Sequence, residues 1–294
     1  MPIRLIRTLR LVVSLICLAC GTAAAADIND PTRGDLVLFP GPLQDLVPAG
    51  APATAVQGLG LNLPGRNFRA GAGWWSLVCD RGCRLNPVQL SVHPATHPVY
   101  DSEPEPSQHL RWAPLPEGLV SRTDPAPANV HLLALFKPVR SLSGLKLSAG
   151  PVTTWLHQGM ASYPPGGRLG TMEVAIPVAG QAPALLVPRL LAAGHGAGES
   201  QAETLVLELR IGAQRQRLGT FDTGGIEGLQ PVQPTSYLMW AGDLDGDGKL
   251  DLLIDLSGGV TRKVELFLSS LASGQDWVGS AGRFEFVDPS QAGC

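Results

Sequence analysis

The sequence predicts an all-β protein, an antiparallel sandwich or barrel-like meander with a single calcium-binding loop, and not a full propeller. Three observations lead there. Beyond residue 150, short β-prone runs follow one another at close intervals. Glycine and proline punctuate them, with 35 and 26 residues in a chain of 294, high but short of the disordered regime. The one sharply acidic stretch, Trp240–Leu256, lies between two such runs rather than between helices.

The chain opens on an export pattern. Met1–Arg10 carries Arg4, Arg7 and Arg10, Leu11–Cys20 is apolar, and Gly21–Ala26 is small. This reads as a signal peptide over residues 1–26, cleaved after Ala24-x-Ala26, with the mature chain periplasmic or extracellular. Its apolar core of about ten residues is too short for a membrane span, and no later segment qualifies, so no transmembrane segment is expected. Lipidation at Cys20 is the alternative, but Cys17 stands where a lipobox has leucine. Removing residues 1–26 leaves 19 basic against 25 acidic side chains, a net charge near −6. That balance argues against nucleic acid or an anionic membrane as partner, both of which select basic patches. About 268 residues suffice for one large or two small domains.

Between residues 27 and 98, Asp35–Phe39 reads as a strand stopped by Pro40-Gly41-Pro42. Pro48–Gly73 is rich in Gly, Ala and Pro and shows no periodicity. Trp74–Cys79 and Cys83–Val92 then form a hairpin around Asp80-Arg81-Gly82, with Gly82 expected in the left-handed conformation. Cys79 and Cys83 flank that turn, close enough for a disulfide in an oxidising compartment. Pairing of either with Cys294 is the alternative. His93 and His97 have a metal-ligand spacing, but Pro94 and Pro98 follow them directly, so both are expected in a loop. Trp74 and Trp75 are the first candidates for an exposed binding platform, although tryptophans are more often core.

Tyr100–Gln108 and Ser121–Asn129 are polar and proline-rich, as a linker or a long surface excursion would be. The expected division is an N-terminal β-rich region over 27–129 and a C-terminal β domain over 130–294. Val130–Phe136 resumes the apolar pattern. Strands are then expected near Val152–His157, Leu169–Val178, Ala184–Leu191, Thr204–Ile211, Gln214–Phe221, Ser236–Trp240, Leu250–Leu256, Lys263–Ser269 and Arg283–Val287. Ala193–Gly198 lacks phosphate-loop spacing and reads as a hairpin tip. After Leu256 two registers are open. A Gly258-Gly259 turn sets Asp255 opposite Arg262, whereas a Ser257–Gly259 turn sets Leu252 opposite Val264.

The acidic loop is the sharpest chemical signal. Asp243, Asp245, Asp247 and Asp251 occupy positions 1, 3, 5 and 9, with Gly248 at position 6. Alternate carboxylates in a tight loop converge on one centre, and the Lys249 carbonyl adds an uncharged oxygen. Oxygen donors of this kind suit Ca²⁺, which takes six to eight of them at about 2.3–2.6 Å. An EF-hand would need an acid at position 12, where Ile254 stands, and helices on both sides. Asp255 lies four residues past Asp251, roughly 13 Å away along a strand, and should not share the ion. A strand–loop–strand of this spacing resembles the FG-GAP and VCBS repeats of integrin-type and bacterial secreted proteins. That resemblance implies side-chain ligation by Asp243, Asp245, Asp247 and Asp251 and backbone ligation by Lys249. It covers about twenty residues, and no second acidic loop recurs at a regular period, so a single loop set on another β fold is expected.

No G-x-S-x-G, H-E-x-x-H or Walker loop is present. The expected function is therefore a calcium-stabilised, non-enzymatic binding or adhesion module for a surface or envelope ligand, protein or carbohydrate. A secreted hydrolase with an unrecognised site, or an envelope subunit or inhibitor, are the alternatives.

Overall fold

The computed structural model describes residues 33–34, 36–40, 70–97, 105–113, 131–138, 145–158, 160, 173–178, 182–191, 204–221, 237–258 and 261–287. The expected signal peptide, the glycine tract Ala193–Gly198 and Cys294 lie outside them. Among the described residues the chain is all-β. Its strands are β1 (Arg33–Gly34), β2 (Leu36–Pro40), β3 (Gly71–Cys79), β4 (Cys83–His97), β5 (Glu105–Ala113), β6 (His131–Pro138), β7 (Gly150–His157) and β8 (Val174–Ile176). They continue as β9 (Ala184–Leu191), β10 (Thr204–Ile211), β11 (Gln214–Thr220), β12 (Leu238–Asp243), β13 (Asp251–Asp255), β14 (Thr261–Leu268) and β15 (Gly279–Val287).

Eleven strands form one antiparallel sheet in the order β1-β15-β14-β13-β12-β7-β4-β3-β6-β2, with β5 paired to β4. The sheet draws strands from both sides of residue 130, because β7 joins β4 on one side to β12 on the other. β1 and β2 sit at opposite ends of this order but are separated in sequence by Asp35 alone. One extended segment thus reaches both edges, which is possible only because the sheet curls back on itself. It remains a curled half-barrel, neither a closed barrel nor a propeller. The other four strands make a small sheet, β11-β10-β9-β8.

The curl creates two apolar cores. One fills the concave side, with Trp74, Leu77, Phe136, Trp240, Leu253 and Phe284 among its members. The other lies between the convex side and the small sheet, and includes Leu186, Leu207, Tyr237, Leu252, Ile254 and Phe267. β13 is shared: Leu253 enters the first core while Leu252 and Ile254 enter the second. A strand buried on both faces needs a continuous apolar run, and L-L-I supplies it. β11 shows the opposite pattern, with Gln216 and Leu218 buried and Arg215 and Arg217 exposed. Charged residues on such an edge strand discourage pairing with a further chain.

Gln216 joins the two sheets. Its Nε2 donates to the Val278 carbonyl at 2.6 Å, and its Oε1 accepts from the backbone N–H groups of Trp277 and Val278 at 2.8 and 3.2 Å. Tyr237 adds a second tie, its hydroxyl donating to the Leu186 carbonyl.

Several expectations change. The β3–β4 hairpin forms with Cys79 opposite Cys83, and the two face each other at bonding distance as a disulfide pair, Cα atoms 4.0 Å apart. Gly82 is not left-handed. Instead, Asp80 Oδ1 accepts the Gly82 N–H, and the Asp80 N–H donates to the Gly82 carbonyl. β4 runs on to His97, and β5 pairs with it inside the stretch read as a linker. His93 is therefore on a strand, opposite His109, and not in a loop. His97 ends the same strand, four residues further along. Trp74 is buried and Trp75 half-buried against the core, which removes the proposed aromatic platform.

Neither register expected after Leu256 is adopted. Asp255 pairs with Val264 and Leu252 with Phe267, and Gly258 bridges Thr261. Side-chain oxygens hold this strand end: Asp255 Oδ1 accepts the Ser257 N–H, and Ser257 Oγ accepts the Lys263 N–H. In this register Asp255 stands opposite Val264 and not Arg262.

Gln216→Ala is expected to lower stability by about 2–3 kcal/mol, since it leaves buried groups of residues 277 and 278 unpaired. Urea unfolding measures this. A loss below about 0.5 kcal/mol would show that the sheets are held by apolar contact alone.

Candidate metal centre

The acidic loop is the connection between β12 and β13, at one end of the strand shared by both cores. Gly242 prepares its entry. A Cβ there would overlap the Thr153 carbonyl oxygen of β7 and the Trp240 ring, so only glycine lets β12 lie this close before turning into Asp243. Gly246 and Gly248 take φ of 77° and 80°, the left-handed conformation that glycine adopts without a side-chain clash. Both bends are therefore written in the sequence.

Asp243 organises the turn from inside. Its Oδ1 accepts the N–H groups of Gly246 and Asp247 at 2.8 and 3.0 Å, and its Oδ2 accepts that of Gly248 at 2.9 Å. Asp247 Oδ1 accepts the Lys249 N–H at 2.8 Å. The result brings Asp243, Asp245 and Asp247 together, with one carboxylate oxygen from each lying within 4.8 Å of the others. Two oxygens on a calcium coordination sphere of about 2.4 Å radius are at most about 4.8 Å apart. The three carboxylates can thus hold one metal ion.

Asp251 is placed differently. It is fully buried, its Oδ2 accepting the Leu244 N–H at 2.7 Å and its Oδ1 the Ser269 N–H at 2.7 Å. One carboxylate therefore ties the loop to the 3₁₀ turn Ser269–Leu271 that follows β14. The same turn reaches the loop with hydroxyls: Ser269 Oγ donates to Asp247 Oδ2 at 2.9 Å, and Ser270 Oγ to Asp245 Oδ2 at 2.5 Å. Ser269 and Ser270 are the site residues that sequence reasoning did not find. They stand eighteen or more residues past Asp251 in an ordinary S-S pair, and only the β13–β14 register brings them near.

Burial raises the Asp251 carboxyl to about 7, against the lowering effect of its two backbone donors, and the Asp245 charge adds to the rise. Asp245 is raised as well, first by burial and then by Asp247 and Asp243, while Ser270 opposes this. Lys249 Nζ lies 3.7 Å from Asp247 Oδ2 but is largely exposed, and an exposed pair of this kind contributes little. Asp255 sits at the far end of β13 with its carboxylate on Ser257.

Compared with known proteins, the chain matches no family model and has no significant match among curated proteins or solved structures. Among the described residues no helix is long and apolar enough to cross a membrane.

Two outcomes are expected from Asp251. Asp251→Ala removes both acceptors and leaves the Leu244 and Ser269 N–H groups buried and unpaired, costing about 2–5 kcal/mol in chemical denaturation. The second concerns pH. The folded value of about 7 lies above the ~3.9 of an unfolded aspartate. Between them the folded chain keeps a proton that the unfolded chain has lost. Stability in chelator should therefore fall as pH rises from about 4 to about 7 and then level off. Asp251→Asn, neutral throughout, should lose most of that slope. An unchanged slope would mean that Asp251 titrates as an ordinary surface carboxylate.

Proposed function

We propose that this chain is a secreted or periplasmic calcium-binding protein of the non-enzymatic binding class, in which calcium is structural. The observation that supports this best is the convergence of Asp243, Asp245 and Asp247 within the span of one coordination sphere, on a loop already bent by two left-handed glycines. An all-oxygen donor set favours a hard cation over Zn²⁺, which prefers nitrogen and sulfur. Mg²⁺ is usually held by one or two carboxylates and its own waters, whereas Ca²⁺ takes several carboxylates in flexible geometry, so a group of three matches Ca²⁺ better. Asp243, Asp245 and Asp247 supply side-chain oxygens and Lys249 its carbonyl. Asp251 keeps a second lone pair on each oxygen beyond those facing Leu244 and Ser269, and supplies charge from beneath the loop. The FG-GAP and VCBS resemblance implies Asp251 as a fourth side-chain ligand, whereas the group that converges comprises Asp243, Asp245 and Asp247.

A cation here relieves a specific cost. Four carboxylates within nine residues repel one another, two of them with raised pKa values. An ion bound there ties the loop to the two cores through Asp251 and the serine turn. The partner in this reading is a surface or envelope ligand, protein or carbohydrate, held on a scaffold that calcium keeps rigid outside the cytoplasm.

Extracellular calcium modules bind with Kd about 10⁻⁴–10⁻³ M. At roughly 1 mM calcium and a Kd of about 10⁻⁴ M, linkage gives about 1.4 kcal/mol, seen as a rise in melting temperature. Asp247→Ala should abolish that rise, and Asp255→Ala should leave it intact. A melting temperature indifferent to chelator in the unmutated protein, or equal dependence on Asp255 and Asp247, would refute the structural-calcium reading.

A further inference from the structure

A second group of metal-ligating side chains lies away from the acidic loop. Cys79 ends β3, Cys83 begins β4, and β7 brings His157 beside them. The two sulfurs and one imidazole nitrogen all lie within 4.8 Å of one another, and all three residues are buried. His157 Nδ1 is 2.6 Å from the Gln158 carbonyl oxygen. A carbonyl only accepts, so Nδ1 carries the proton and Nε2 the lone pair. Metal-ligating histidines are oriented in this way, the non-ligating N–H resting on a carbonyl or carboxylate.

We propose that Cys79, Cys83 and His157 form a site for a thiophilic cation, Zn²⁺ or Cu⁺, available only when the Cys79–Cys83 pair is reduced. Disulfide and ion are then alternative occupants of one place in the concave core. The geometry suits this. Metal–sulfur bonds of about 2.3 Å and metal–nitrogen bonds of about 2.0–2.1 Å set tetrahedral ligand atoms roughly 3.5–3.8 Å apart, so the two sulfurs, at bonding distance in the pair, must move apart on reduction, whereas the imidazole nitrogen already lies within 4.8 Å of both. The donors are soft, where those of the acidic loop are hard, so the two sites select different metals. The chemistry balances with a dithiol as reductant. It gives two electrons and two protons to the sulfur–sulfur bond, which breaks to two thiols, and becomes a disulfide itself. Metal binding then releases both thiol protons and forms two sulfur–metal bonds and one Nε2–metal bond. Two thiolates neutralise Zn²⁺ in an apolar setting, and its fourth position is left for water. Cu⁺ would leave one negative charge there.

The test uses the full chain with Cys17, Cys20 and Cys294 replaced by serine, so that no other thiol competes. Zn²⁺ and Cu⁺ are titrated separately against chromophoric chelators, with the protein oxidised and then reduced by a dithiol. The reduced protein should bind one equivalent and the oxidised protein none, and the preferred ion is whichever competes better. His157→Gln should weaken binding by at least about 100-fold, while binding of calcium is unchanged. If reduction alone unfolds the chain, the ion should restore the folded circular dichroism. Equal binding by oxidised and reduced protein, no binding by the reduced protein, undiminished binding by His157→Gln, or failure of the ion to restore folding would each overturn the proposal.

Discussion

β13 is buried on both faces, and the rest of the molecule is arranged around that constraint. The curled sheet packs against Leu253 and the small sheet packs against Leu252 and Ile254, so neither core is complete without this strand. Its first residue, Asp251, has no exposure to solvent. A carboxylate in that position needs strong donors, because transfer of an unpaired charge from water costs several kcal/mol. The Leu244 and Ser269 N–H groups provide them. The loop before β13 and the turn after β14 are thus fixed relative to each other by a single side chain. The raised Asp251 pKa records what remains of the burial cost.

The proposed cation would bring positive charge to this arrangement. Asp243 spends its hydrogen bonds on shaping the turn, and Asp245 and Asp247 receive hydroxyl protons from Ser270 and Ser269. Those contacts orient the carboxylates without neutralising them. Lys249, largely exposed, cannot do so either. The proposed calcium completes the charge balance of a structure that already has the required shape, which is why its effect is expected in stability rather than in chemistry.

The acidic loop was legible because its signal is local: spacing, two glycines and flanking β-prone runs all lie within the twenty-one residues Ser236–Leu256. β13 was legible for the same reason, L-L-I being a continuous apolar run. What stayed hidden depends on pairing across distance. Ser269 and Ser270 enter the site only through the register of β14, and that register follows from Asp255 and Ser257 accepting nearby backbone N–H groups, not from an Asp255–Arg262 ion pair. β5 was hidden by its proline-rich surroundings, and the extension of β4 by Pro94, which an edge position or one free of ladder donors tolerates. The grouping of His157 with Cys79 and Cys83 was hidden because His157 lies 74 residues beyond Cys83.

Terbium luminescence competed by calcium tests the central claim most directly, because Tb³⁺ takes the same oxygen sites and is excited through nearby aromatic rings. The account predicts saturable emission with one ion per chain, displaced by calcium in the ~10⁻⁴–10⁻³ M range and absent when Asp243 and Asp245 are both changed to asparagine. Emission with no defined stoichiometry, or emission that survives that double change, would contradict it.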